Sequence, residues 1–193
     1  MNMKKISAAC ATAAALAALC VPGSAFAADG TLTLNAGDGS TLAGHSFTVY
    51  KVAGYNDVVK DGANVKSVSA SSPDATTDAW VKAALNKNGV TYNTSEGRNA
   101  AEQLLRLKTN SNTLRKVAGT LQSAASSKVA AVKTNQTSTT GSLNLTLPEG
   151  YYLVVDAQGI PILVSTTIGG SVRMSNGQTL GSTQIKTNVT KID

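Results

Sequence analysis

The chain has 193 residues, a formal net charge of +6 and only two cysteines. Its 17 basic residues are scattered among Thr, Ser, Asn and Gly, which argues against a nucleic-acid-binding groove and against a patch for anionic membranes. The length suits one domain with one hydrophobic core.

Residues 1–27 have the pattern of an export signal. Two lysines precede an apolar run from Ile6 to Val21, and small residues directly before Ala28 form a cleavage site. The run is shorter than the ~20 residues of a membrane-spanning helix, and an uncleaved N-terminal anchor is the alternative. We therefore predict a secreted or cell-surface protein that begins at Ala28.

Cleavage of this signal changes the chemistry that the chain can carry. Both cysteines, Cys10 and Cys20, lie within it, so the exported chain cannot form a disulfide, a thiolate metal site or a cysteine nucleophile. Two lysines also leave, which lowers the formal charge from +6 to +4. The mature chain is therefore mildly basic, and its stability must come from packing.

Two strands are predicted near the start of the mature chain. Thr31–Asn35 alternates polar and apolar residues, and His45–Val52 is rich in β-branched and aromatic residues. We expect these two strands to pair as a hairpin. Tyr55–Ser72 is polar and contains glycine, which predicts a loop with at most a short edge strand.

The middle of the chain is predicted to be helical. A first helix follows Asp74 and ends at Asn88-Gly89, which is typical of a left-handed C-cap. Ser95 is the candidate cap of a second helix, and a third begins near Asn112. The residues predicted to face inward are Trp80, Val81, Ala84 and Leu85 in the first helix, Ala101, Leu104, Leu105 and Lys108 in the second, and Leu114, Val117, Ala118 and Leu121 in the third.

Strand patterns return after a loop at Thr134–Thr140. Three leucines alternate with polar residues over Ser142–Leu147. Tyr151–Val155 and Ile160–Val164 are apolar on both faces, as central strands are, and a four-residue loop joins them as a hairpin. Shorter strands are predicted at Ser171–Met174, which a turn at Asn176-Gly177 follows, and at Thr183–Thr190.

These elements add up to about seven strands with a helical insertion after the second. We predict a mainly-β fold of the immunoglobulin-like β-sandwich type that carries two or three short helices. A β-barrel of the same length is the alternative.

No pattern in the sequence indicates catalysis. The chain lacks a Gly-x-Ser-x-Gly nucleophile elbow and a phosphate-binding glycine loop, so we expect neither an enzyme nor a bound cofactor. His45 is the only histidine, and a metal site would need several converging ligands. The aspartates Asp38, Asp57 and Asp61 lie in turn or loop segments, where aspartate is ordinary. We expect no metal site.

One lysine falls on a face that is predicted to be buried. Lys51 shares a strand face with Phe47, and burial of an ammonium group is costly unless the charge is paired or consumed. An amide bond to an asparagine side chain, assisted by a carboxylate, would consume it. The candidate partners are Asn188 as the asparagine and Asp156 or Glu149 as the carboxylate. The alternative is that the side chain of Lys51 reaches water from the strand end.

A second lysine, Lys186, lies in the last predicted strand on the face opposite Ile185 and Val189. We expect its side chain to be exposed. On its own, such a charge protects an edge strand from pairing with a neighbouring molecule.

Three segments together resemble a known family. Phe47–Val52, Leu147–Val154 with the sequence Leu-Pro-Glu-Gly-Tyr-Tyr-Leu-Val, and Ile160–Val164 with the sequence Ile-Pro-Ile-Leu-Val occur in this order around the helical insertion. The chain resembles the N-terminal domain of the major pilin (fimbrial) subunits of Gram-positive bacteria that sortases assemble. The resemblance spans nearly all of residues 28–193.

The resemblance implies a noncatalytic structural role in a covalent surface fibre that serves adhesion. In that family a sortase joins the sorting-motif threonine of one subunit to a lysine near the end of the next subunit's N-terminal domain. By position, Lys186 is the first candidate for this intersubunit acceptor and Lys191 the second. The implied partners are other pilin subunits, a sortase and a host surface protein or glycan, with no nucleic acid and no membrane insertion after signal cleavage.

The resemblance also suggests how the chain is divided. Residues 28–190 would form the pilin N-terminal domain, and residues 191–193 would begin a truncated following domain of the collagen-adhesin type. The sequence has no Leu-Pro-x-Thr-Gly sorting motif, so it resembles a fragment of a pilin subunit. The alternative function, from a different class, is a free secreted module that binds a glycan or a host protein through its loops.

Overall fold

The structure is a computed structural model that describes residues 28–37, 40–91 and 99–186. The predicted export signal lies outside the described residues, as do Ser95, Asn188 and Lys191. The described strands are β1 (Asp29–Ala36), β2 (Phe47–Asp61), β3 (Asn64–Ser71), β4 (Lys133–Gln136), β5 (Ser142–Pro148), β6 (Gly150–Asp156), β7 (Ile162–Ser165) and β8 (Ser182–Ile185). The described helices are α1 (Ala75–Lys87), α2 (Ala100–Leu105) and α3 (Asn112–Lys128).

Two sheets face each other. One has three strands in the order β5-β1-β8, and the other has five, in the order β3-β2-β6-β7 with β4 beside β2. The alternating leucines of β1 and β5 point between the sheets and meet side chains of β2 and β6. The main members of this sandwich core are Leu32, Leu34, Leu145, Leu147, Phe47, Val49, Tyr152 and Val154. The predicted mainly-β, sandwich-like fold with a few short helices is confirmed.

The helices cover the outer face of the larger sheet. Trp80 of α1 is buried, donates its ring N–H to the carbonyl of Leu121 at 3.2 Å, and packs edge-on against Tyr50 of β2. Tyr151 and Leu153 belong to this second core, whereas the intervening Tyr152 belongs to the sandwich core. Strand β6 is therefore buried on both faces, which explains its continuous apolar sequence.

Side-chain caps and a glycine delimit the helices. Asp74 accepts the backbone N–H of Thr77 at the start of α1, and Gly89, with φ of +68°, terminates it. Helix α2 is capped by Asn99, whose side chain accepts the N–H of Glu102, so the predicted cap at Ser95 is wrong. The inward positions of α1 and α3 are confirmed, whereas Lys108 is exposed and lies beyond the end of α2, so its predicted place on an inward face was wrong.

The predicted hairpin of the first two strands is wrong. Strand β1 pairs with β5 and β8, and β2 pairs with β3, β4 and β6 in the opposite sheet. The physical reason is that β1 and β2 bury their apolar faces against one core from opposite sides. Their alternation identifies the buried face of each strand but not its neighbour.

The predicted loop at Tyr55–Ser72 is also wrong. Strand β2 continues to Asp61 and turns at Gly62 into β3, so the helical insertion follows the third strand. In the outer part of this β2–β3 hairpin, residues 56–61 of β2 are exposed and Val65 of β3 is buried, and the register shifts around Asn56 and Val59. This part of the hairpin therefore lacks the apolar alternation that marks a strand with one buried face. Strand β4 similarly falls in the predicted loop at Thr134–Thr140.

The C-terminal part of the described chain has less regular structure than predicted. Ser171–Met174 forms only isolated bridges, one of them between Met174 and Val65 of β3. Gly177, with φ of +87°, makes the predicted turn. Strand β8 then runs parallel to β1. Within the described ranges, no helix is long and apolar enough to cross a membrane.

Candidate functional site

Lys186 directly follows strand β8 and lies on the surface at one end of the sandwich. Thr33 to Ala36 of β1 lie in register with Ser182 to Ile185. Ile185 is 3% exposed and packs in the sandwich core, and its carbonyl accepts the N–H of Gly37 at 3.0 Å. The next residue, Lys186, is exposed.

The amine of Lys186 makes no hydrogen bond or ion pair with any residue that the structure describes. Its backbone is nevertheless held, because the preceding residue is fixed by burial and by the pairing of β8 with β1. Lys191, the second predicted acceptor, lies beyond the described residues.

Lys51 lies at the opposite end of the sandwich. It is paired in register with Tyr152 of β6 and is half-buried. Two glycines make room for its side chain, since a Cβ at Gly150 would meet Lys51 Cε at 3.0 Å and a Cβ at Gly54 would meet Nζ at 3.8 Å. Burial lowers the pKa of Lys51 from its ordinary value of 10.5.

The structure brings only one of the two candidate carboxylates to the end where Lys51 lies. Glu149 precedes Gly150 and is 9% exposed, and its carboxylate accepts the backbone N–H of Gly169. Asp156 is paired with Phe47, which lies four residues before Lys51 in β2. At the rise of a strand, four residues separate the two positions by roughly 13 Å. Among residues 28–37, 40–91 and 99–186, Lys51 forms no ion pair.

The candidate asparagine, Asn188, lies outside the described residues. Strand β8 ends at Ile185 opposite Ala36, whereas Glu149 contacts Ala28 at the start of β1 through a backbone hydrogen bond of 2.8 Å. The described part of β8 therefore leads the chain away from Lys51.

His45 contacts a buried carboxylate and an aromatic ring of the sandwich. Its Nδ1 lies 2.6 Å from Asp156 Oδ2, and its ring stacks on that of Phe47 with the centroids 6.1 Å apart. The carboxylate of Asp156 is 4% exposed and also accepts the N–H of Gln158. In the described ranges no group of three or more His, Cys, Asp or Glu is arranged to hold a metal ion.

A cavity of about 540 Å³ opens between the β2–β3 hairpin, the C-terminal turn of α2 and the segment that follows β7. We call it the hairpin cavity. Its apolar floor is formed by Tyr55, Tyr151, Ile168 and Leu180, and polar side chains including Glu102 and Arg106 line its rim. It exists because the bridge between Val65 and Met174 holds this segment against β3.

Two hydrogen bonds hold the floor of the hairpin cavity. The hydroxyl of Tyr55 donates to Ser165 Oγ at 2.8 Å, and the hydroxyl of Ser165 donates to the carbonyl of Thr166 at 2.6 Å. Burial raises the pKa of the Tyr55 hydroxyl, so it stays protonated and remains a donor at neutral pH.

The rim of the hairpin cavity presents free polar groups. The side chains of Glu102, Arg106 and Gln178 form no hydrogen bond or ion pair with any described residue. Asp57 accepts the hydroxyl of Ser69 at 2.9 Å. Sequence analysis missed this site because its walls come from the segment predicted to be a loop and from residues far apart in the chain.

The chain matches no protein-family model, and no similar sequence is found among curated proteins.

Proposed function

We propose that the chain is the N-terminal structural domain of a Gram-positive surface pilus and that Lys186 is the amine to which a sortase attaches the preceding subunit. The observation that carries the proposal is the position of Lys186. It is an exposed, unpaired amine directly after a core-anchored residue on the last described strand.

The position suits an acceptor for two reasons. A nucleophilic amine must reach an enzyme-bound carbonyl, which favours an exposed side chain without a competing carboxylate partner. The backbone that carries it must also have a defined position, and the pairing of β8 with β1 provides this. The cysteine-free sequence after residue 27 is consistent with a fold that is stabilised by two packed cores.

The position of Lys186 also has a mechanical consequence. If the fibre is joined at Lys186 and continues through the residues after it, tension passes along the chain just beyond β8. The sandwich formed by β1 to β8 then lies beside the load path, so it would need no internal covalent bond to resist unfolding under force.

The proposal is tested by a coupling reaction. The chain from Ala28 onward is incubated with a pilus-building sortase and a fluorescent Leu-Pro-x-Thr-Gly peptide. The Thr–Gly bond breaks, the threonine carbonyl carbon forms an amide with the lysine Nζ, and the glycine amine leaves with the proton. We expect one labelled product that Lys186→Arg abolishes.

Two exposed lysines provide matched controls. Lys116→Arg in α3 and Lys133→Arg in β4 keep the charge and are expected to leave the yield unchanged. Coupling that survives Lys186→Arg and is lost with Lys191→Arg would overturn the assignment of Lys186. Complete absence of coupling to the unaltered chain would overturn the proposed role as an acceptor.

The hairpin cavity favours a second candidate function, a module that binds a ligand on a host surface. Its volume falls in the range of ~300–1,000 Å³ typical of small-ligand sites. The two functions are compatible, since the cavity and Lys186 share no residue.

A further inference from the structure

The hairpin cavity has the composition of a built ligand site. Its floor is apolar and partly aromatic, and its lining also carries two carboxylates, a guanidinium and two amides. Ligand pockets typically combine an apolar lining with a few polar groups that fix orientation. The floor is also fixed in advance, because Tyr55 is held by its hydrogen bond to Ser165.

The free groups on the rim define the chemistry of the ligand. The carboxylate of Glu102 can only accept hydrogen bonds, the guanidinium of Arg106 can only donate them, and the amide of Gln178 can do both. These three groups have no partner among the described residues. A ligand that satisfies all of them must donate and accept at neighbouring positions, as the hydroxyl groups of a sugar do.

The charges of the rim argue against an anionic ligand. Glu102 in α2 and Arg106 at its C-cap are four residues apart and carry opposite charges, so together they add no net charge to the rim. Asp57 adds a further carboxylate to the lining. A phosphate or carboxylate ligand would meet two negative groups and one positive group, whereas a neutral polyhydroxylated ligand meets no net repulsion.

A peptide that pairs with the edge of β3 is disfavoured by the contacts along that edge. Val65 donates its N–H to the carbonyl of Arg173 at 3.0 Å and accepts the N–H of Ser175 at 2.8 Å. Farther along, the carbonyl of Ala70 accepts the side-chain N–H of Asn99 at 2.8 Å. Addition of a strand requires a row of free backbone groups, and both ends of this row are occupied.

We propose that the hairpin cavity binds a short neutral oligosaccharide, with the apolar face of a sugar ring over Tyr55 and its hydroxyl groups bound by Glu102, Arg106 and Gln178. This site would give the domain an adhesive function of its own. The proposal does not depend on the role of Lys186, because the two sites have no residue in common.

The experiment is a titration of the isotope-labelled chain from Ala28 onward with neutral oligosaccharides, followed by amide NMR. The probes are lactose, N-acetyllactosamine, maltotriose and chitotriose at millimolar concentration, and sialyllactose is the anionic comparison. We expect at least one neutral probe to shift the amide resonances of Ser69, Glu102 and Gln178, and sialyllactose to bind more weakly than lactose. No shift with any neutral probe, or shifts confined to other surfaces, would overturn the proposal.

Variants separate the site from the rest of the fold. Glu102→Gln removes the negative charge of one acceptor and Arg106→Lys removes the planar two-pronged donor, and each is expected to weaken binding about tenfold. Arg115→Lys on α3 is the matched control, since Arg115 is an exposed arginine that does not line the cavity. Equal weakening by the control, or unchanged affinity in both rim variants, would contradict the proposed site.

Two further measurements distinguish loss of saccharide binding from unfolding, and the saccharide site from the sortase acceptor. Thermal unfolding of each variant shows whether the fold is intact, and a variant that unfolds at the same temperature as the parent but loses the saccharide supports the site. Lys186→Arg is expected to bind the saccharide normally, and Arg106→Lys is expected to couple normally to the sortase peptide. Binding of a Ser/Thr-rich peptide to the same residues, with no saccharide bound, would overturn the assignment to a sugar.

Discussion

His45, which precedes β2, and Asp156, the last residue of β6, meet at one end of the sandwich with 2.6 Å between Nδ1 and Oδ2. Around this contact, Ala157 donates its N–H to the carbonyl of Ser46 at 3.0 Å, and the side chain of Gln158 donates to the carbonyl of Gly44 at 2.9 Å. The segment before β2 is thereby fixed to the hairpin loop between β6 and β7.

Replacement of His45 by alanine should therefore destabilise the fold. The change leaves the carboxylate of Asp156, which is 4% exposed, without its histidine partner. A buried polar group that loses its partner costs about 1–3 kcal/mol, and more when it is charged. The free energy of unfolding is measured by urea denaturation at neutral pH. His45→Ala with unchanged stability would show that the contact has no net value, and Asp156→Asn should recover part of the loss in His45→Ala.

Gly150 and Gly119 make a matched pair of glycine-to-alanine substitutions. A Cβ at Gly150 would lie 2.4 Å from the backbone carbonyl oxygen of Ala53, so Gly150→Ala must displace β2 from β6. We expect a loss of about 1–3 kcal/mol or more, the range for overpacking in a core. Gly119 lies inside α3 with open space at its Cβ, so Gly119→Ala should stabilise the chain by about 0.5–1 kcal/mol. Urea denaturation of both variants checks the signs, and equal effects would contradict the packing described at Gly150.

Lys51 should make the stability depend on pH in the alkaline range. Burial lowers its pKa in the folded chain below the ordinary value of 10.5, so the unfolded chain binds more protons between the two values. Stability contributed by this residue therefore rises as the pH increases through the folded pKa and levels off above 10.5. The difference in unfolding free energy between the parent and Lys51→Met, measured from pH 7 upward, isolates the effect. A difference that stays constant over this range would contradict the burial of the amine.

The mass of the intact chain from Ala28 onward tests whether Lys51 forms an internal amide. Amide formation with an asparagine side chain releases ammonia, about 17 Da. Because β8 ends at Ile185 far from the end of the sandwich where Lys51 lies, we expect a mass without this loss. A deficit of one ammonia, mapped to Lys51 and Asn188 by peptide sequencing, would contradict this expectation.

Helices and strands were predictable from the sequence where a single capping residue or a clear apolar pattern determines the local structure. Asp74 and Gly89 delimit α1 by capping chemistry, which acts within a few residues. The alternating leucines of β5 indicate a strand that is buried on one face, and the continuous apolar run of β6 indicates a strand that is buried on both faces.

The pairing of strands could not be predicted in the same way. Strand β1 joins β5 and β8, which lie more than a hundred positions away in the chain, and alternation in β1 is equally compatible with β2 as a neighbour. In the outer β2–β3 hairpin, six consecutive residues of β2 (56–61) are exposed and Val65 of β3 is buried, so the hairpin carries no apolar period. The hairpin cavity depends on both features, and no local pattern marks it.

The position of the sortase-formed amide on the unaltered chain tests the central claim most directly. After coupling to the Leu-Pro-x-Thr-Gly peptide, the product is digested and the modified lysine is located by tandem mass spectrometry. The proposed function predicts that the threonine carbonyl is bonded to Nζ of Lys186. An amide on exposed helical lysines such as Lys87 or Lys116, with Lys186 unmodified, would contradict it.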